Sequence, residues 1–143
     1  MSKPAIKLSP ERHEQIKAIG VALDLSIVET VAHMVNSEIA KGTIPAGIKG
    51  VTVKSTGDAV TIAFDDQPPV MFTLSGVSEL SENLLEFTEA GKRAQKLVNM
   101  KHNFEIERKG NGVKLTIPFT GKVTKSFPRD LARDLANILA DAA

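Results

Sequence analysis

The sequence predicts an α+β chain. An N-terminal strand-helix-helix element covers residues 1–47, and two tandem βββα repeats over 48–143 form an antiparallel sheet backed by helices. Three observations carry this expectation. Two capped amphipathic helices follow a short alternating segment at the start; the remainder of the chain matches itself at an offset of 53 residues; and within that match apolar and polar residues alternate, the period of a half-buried strand.

In the opening "KPAIKLSPERHEQIK", Ile6 and Leu8 flank Lys7 in strand alternation. A segment this short has no hydrogen-bonding partner of its own, so a strand here needs a second strand from elsewhere. Ser9, Pro10 and Glu11 read as a helix start: a side-chain cap, proline at the first helical position, and an acid at the positive end of the helix dipole. That helix runs to about Leu23, with Ile16, Ile19 and Leu23 on one face beside Gly20 and Ala22. "LDLS" interrupts it. Ser26 with Glu29 then has capping-box spacing, and Val28, Val31, Ala32, Val35 and Ile39, with Met34 alongside, give the second helix a stripe expected to be buried. "KGTIP" supplies a glycine stop with Pro45 beyond.

The repeat aligns "VTVKSTGDAVTIAFDDQPPVMFTLS" from Val51 with "FEIERKGNGVKLTIPFTGKVTKSFP" from Phe104, without a gap. Val51 and Val53 meet Phe104 and Ile106; Val60, Ile62 and Phe64 meet Val113, Leu115 and Ile117; Val70 and Leu74 meet Val123 and Phe127. Gly57-Asp58 and Gly110-Asn111 are hairpin tips. Each unit, 50–99 and 102–143, ends in a helix, the first through Leu80, Leu84 and Phe87 and the second through Leu131, Leu135 and Ile138. "GKRAQKLVNMKH" is expected to extend the first helix, with Ala94, Leu97 and Val98 as its apolar side. The outer sheet face should carry Thr52, Lys54, Thr61 and Ala63 from one unit and Glu105, Glu107, Arg108, Lys114 and Thr116 from the other.

Charge is unevenly spread. Residues 48–90 hold two lysines against seven acids, whereas 91–143 hold eleven Lys or Arg against five acids. The basic half therefore meets an anionic partner, the acidic half, or a second copy. No apolar run reaches membrane-span length and no secretory leader is evident, so a cytoplasmic protein without membrane contact is expected. The chain has no cysteine, which removes disulfides, thiolate nucleophiles and cysteine-held metals.

The stretch "IKLSPERHEQIKAIGVALDLSIVETVAHMVNSEI" resembles the ribbon-helix-helix family of dimeric DNA-binding proteins. The resemblance rests on alternation with Ile6 and Leu8 inward, Pro10-Glu11 opening the first helix, and Ser26 with Glu29 opening the second. Asp24 stands where the family often has glycine, and Leu25 where it often has a polar or basic residue. The resemblance implies a homodimer in which the strand pairs with its copy and lies in the major groove of double-stranded DNA. Lys3, Ala5 and Lys7 would then face the bases, Ser26 and Ile27 would sit at a phosphate, and Ile6, Leu8, Val31 and Val35 would make dimer contacts.

Enzyme chemistry is not expected, nor is a cofactor. His13, His33 and His102 have no metal-ligand spacing, Asp65-Asp66 sits in a proline-rich turn, and "RKGNG" and "STGDA" precede no helix that could cradle a phosphate. The function expected is transcriptional regulation through DNA, with the repeat domain serving oligomerisation or effector binding. Two alternatives remain open. One is a non-catalytic interaction module whose helices pack on the repeat domain. The other is a single-stranded nucleic-acid binder using Lys92, Arg93, Lys96, Lys101, Arg108 and Lys114, with Arg129 and Arg133 able to add to a phosphate track.

Overall fold

A computed structural model describes residues 5–89, 95–118 and 123–143. The chain is α+β and divides into Met1–Pro45 and Ala46–Ala143.

The first unit holds helices α1 (Pro10–Leu23) and α2 (Ile27–Ala40), whose axes bend by 86° at the break between them. The Ser9 side chain accepts the Arg12 amide at 3.2 Å, and Pro10 occupies the first turn, as the sequence anticipated. At the other end Asp24 adopts the left-handed conformation (φ 58°, ψ 47°), while the amides of Asp24 and Leu25 donate to the carbonyls of Val21 and Gly20. This is a Schellman-type stop, and it explains why glycine suits the place of Asp24. The reversal brings the helices so close that a Cβ on Gly20 would lie 2.7 Å from both the Leu25 carbonyl and the Thr30 hydroxyl. Thr30, fully buried, satisfies itself by donating to the Ser26 carbonyl at 2.7 Å.

The second unit contains two antiparallel sheets. Strands β1 (Val51–Ser55), β2 (Ala59–Phe64) and β3 (Val70–Thr73) form one in that order, followed by α3 (Leu74–Thr88). Strands β4 (Lys96–Asn99), β5 (Phe104–Lys109), β6 (Gly112–Thr116) and β7 (Thr124–Phe127) form the other, followed by α4 (Arg129–Ala142). Alternation places Val60, Ile62 and Phe64 of β2, and Val113 and Leu115 of β6 with Ile117 just beyond it, on the inner faces, all at most 2% exposed. Phe64 and Phe127 meet edge to face at 5.7 Å. The helices pack against each other closely enough for the buried Ser81 hydroxyl to donate to the Ala136 carbonyl at 2.6 Å. Helix α4 packs on β1 and α3 on β5 and β6, so one core serves both sheets.

Four expectations are corrected. There are two sheets, not one. Lys96–Asn99 is a strand: Leu97 turns inward and Val98 outward, and pairing with β5 places the Asn99 amide within 2.9 Å of Glu79 on α3. An apolar pair in so short a run fits either period, and the free edge of β5 decided it; Ala94 lies outside the described residues. Arg108 belongs to the inner face with Phe104 and Ile106, its guanidinium 5.4 Å from the Phe87 ring centroid. In α4 the fully buried positions are Ala132, Leu135, Ala136 and Leu139, with Leu131 and Ile138 at the margins.

The turn after β2 joins the sheets. Asp65 (φ 50°) receives Lys125 Nζ on both carboxylate oxygens, at 3.1 and 2.9 Å, and the Gln67 amide both donates to the Thr124 carbonyl and accepts its N–H, each at 2.9 Å. The side chain thus takes the place of a neighbouring strand on the edge of β7.

Candidate nucleic-acid interface

Every buried hydrophobic side chain among the described residues lies in Ala46–Ala143. Among the described residues of the first unit only Gly20 and Thr30 are buried. The stripe expected to be covered is open: Val28 is 61% exposed, Val31 42% and Val35 45%, and Ile6 reaches 87%. Two helices crossing at one glycine cannot cover it by themselves. Ala5, Ile6, Lys7 and Leu8 are likewise exposed and form no ladder with any described strand.

The start of α2 is built as the sequence indicated. Ser26 Oγ accepts the Glu29 amide at 3.1 Å while Glu29 Oε1 accepts the Ser26 amide at 3.0 Å, a full capping box. The amides of Ile27 and Val28, in the first turn, have no acceptor within the helix and are disposed to meet an anion. Ile27 is 39% exposed beside them. Of the residues expected at DNA, Ala5, Lys7, Ser26 and Ile27 therefore all reach solvent, and Lys3 lies outside the described residues.

The second candidate patch is not assembled in the same way. Lys92 and Arg93 lie outside the described residues. Lys96 pairs with Glu105 at 3.2 Å, and Lys109 pairs with Glu107 at 2.9 Å. Lys114 stands opposite Glu107 in the β5–β6 register, and only Lys101 is simply exposed. The Glu107 carboxyl is held below the usual carboxylate range, first by its hydrogen bond to Lys109 and then by the charge of that same ammonium, with Lys96 and Lys114 adding to it. The outer face of the four-stranded sheet is thus a lattice of opposite charges. Arg129 Nε donates to the Thr88 carbonyl at 2.6 Å and an Arg133 nitrogen lies 3.4 Å from it, so both serve the C-terminal end of α3, where cations complement the helix dipole.

One cluster escaped the sequence. Glu79 accepts from Asn99 Nδ2 at 2.9 Å and lies 2.9 Å from His102 Nε2, while Asn99 Oδ1 accepts the His102 amide at 2.8 Å. These residues stand on α3, β4 and the β4–β5 turn, and no spacing rule links them. They fasten the four-stranded sheet to the first helix of the unit. Among the described residues no group of His, Asp and Glu could hold a metal ion, and no single helix is long and apolar enough to cross a membrane.

Comparison of the chain with family models, curated proteins and solved structures returns no match.

Proposed function

We propose that this chain is a homodimeric DNA-binding regulatory protein of ribbon-helix-helix type, and that its remainder, a three-stranded and a four-stranded sheet each followed by a helix, is used for oligomerisation or effector binding. The observation that carries the reading is an N-terminal unit without a core. Its helices expose one apolar stripe, and the segment before them alternates like a strand but has no ladder. A second copy meets both needs at once: Ala5–Leu8 pairs with its symmetry mate, and Val31 and Val35 close over theirs. Lys7 then points from the ribbon into the major groove, and the first turn of α2 meets the phosphate backbone. The left-handed stop at Asp24 and the capping box at Ser26 support this geometry by fixing where α2 begins.

Binding of single strands through the four-stranded sheet is less favoured, because its lysines are matched by Glu105 and Glu107 and, among the described residues, its outer face has no aromatic platform. The test is solution mass by light scattering on the full chain and on a chain beginning at Ser9. The proposal expects an associated full chain whose mass falls at least by half when the strand is removed; a mass that does not fall would overturn it. A full chain that stays monomeric would overturn it in favour of helices packed on their own repeat domain.

A further inference from the structure

The two sheets are unequal, and the inequality leaves an edge open. The 53-residue offset lays β1 on β5. In β5, Glu105, Glu107 and Lys109 pair with β6, while Phe104, Ile106 and Arg108 turn their amides and carbonyls toward β4; the Arg108 amide, for instance, donates to the Gln95 carbonyl at 2.8 Å. In β1 the bonds from Asp65 to Gly50 and from Thr56 to Ala59 fix the same parity, so Thr52 and Lys54 exchange bonds with β2. Val53 and Ser55 turn theirs outward, where no strand lies among the described residues. The residues at the offset place of β4, Thr43 to Ala46, include Pro45 and form no strand. The core registers the difference: Phe104 and Ile106 are fully buried under β4, whereas Val51 and Val53 are only partly so.

We infer that the β1 edge is a docking site for β1 of a second copy of this chain, making one six-stranded sheet across a twofold axis. The occupant follows from the register. Outward groups at 51, 53 and 55 are symmetric about Val53, so a twofold sets Val53 against Val53 of the other copy and Val51 against Ser55. Val53 exchanges both its bonds, and each Ser55 amide meets a Val51 carbonyl; the Val51 amide is already held by Ile48 and is not needed. The half-buried valines cover one another on the inner face. On the outer face Lys54 faces Thr52 and not its own copy, so no like charges oppose. The inference rests on the sheet domain alone and does not require the DNA reading; where both hold, the chain carries two different twofold interfaces.

The chain lacks cysteine, which makes the register directly readable. Thr52 and Lys54 would be a non-hydrogen-bonded pair across the axis, with Cα atoms about 4.5 Å apart, within disulfide reach. Full-length Thr52→Cys and Lys54→Cys chains, co-expressed and mildly oxidised, are expected to yield a covalent dimer on a non-reducing gel, while either variant alone yields none, because like positions lie two residues out of register. Absence of the cross-link in the mixture, or equal cross-linking in the single variants, overturns the inference. As a second measurement, Ser55→Pro removes one edge amide and blocks the approach without entering the core. It should abolish association through this edge, and unchanged solution mass overturns the inference. Failure of the ribbon reading is distinct: it would appear as a mass insensitive to loss of residues 1–8 with the cross-link intact.

Discussion

Replacing Val31 and Val35 together by alanine tests whether the open stripe of α2 is an interface. Each change removes two carbons, worth about 1.6 kcal/mol for a fully buried pair at about 0.8 kcal/mol per carbon. Because Val31 is 42% and Val35 45% exposed in the single chain, about 0.7 kcal/mol per side chain depends on association. A dimer carries four such side chains. The expected loss is therefore about 2.8 kcal/mol, or roughly a hundredfold weaker dimerisation at about 1.4 kcal/mol per tenfold. Alanine is the better helix former, so the helices themselves should not be weakened. Sedimentation equilibrium over a dilution series reads the dissociation constant, and far-ultraviolet dichroism checks the helices. An unchanged constant with intact helices would refute the argument that this face is closed by a second copy.

Other substitutions probe separate links. Lys7→Ala should weaken binding to a specific duplex by about 1–3 kcal/mol while leaving the dimer mass unchanged, measurable by fluorescence anisotropy, and unchanged affinity would remove this lysine from the groove. Gly20→Ala should destabilise the N-terminal unit by about 1–3 kcal/mol, because the new methyl collides with the Leu25 carbonyl and Thr30 hydroxyl; thermal melting that shows no loss would mean the helices can separate at no cost. The Glu107 carboxyl should titrate by NMR below the usual range and rise toward it in Lys109→Ala. Since the folded value is the lowered one, any stabilisation is present at neutral pH and lost as pH falls through that value; solvent at the outer sheet face screens the pair and keeps the effect on melting small.

Much of the local structure was legible because its signals are local. Ser9-Pro10 and Ser26 with Glu29 are caps whose partners lie within three residues, and the alternation through Val60, Ile62 and Phe64 has only one buried register. What failed was non-local. Arg108 carries a charge in an alternating strand, which reads as outward, yet the aromatic ring of Phe87 on α3 receives it on the inner face. Lys96–Asn99 fits helix or strand by pattern, and only the vacant side of β5 chose. The ties of Glu79 to Asn99 and His102, and of Gln67 to Thr124, join residues distant in sequence that no periodicity connects. For the candidate interface, the Ser26 cap at the start of α2 was legible, but the nakedness of the α2 stripe was not: periodicity says that a face must be covered and leaves open by whom.

The packing of α4 on β1 also has a temporal side. About 75 residues separate the end of β1 from the start of α4, which at about 5–20 residues per second is a delay of roughly 4–15 s on the ribosome. Throughout that interval the inner valines of β1 wait for α4, although α3 is already made and able to cover β2. The long separation also slows refolding of the finished chain relative to a helical bundle of equal size. Newly made chains thus hold their open strand edge and their uncovered core in the same place at the same time, so crowding of nascent copies favours strand exchange between neighbours before either fold is complete.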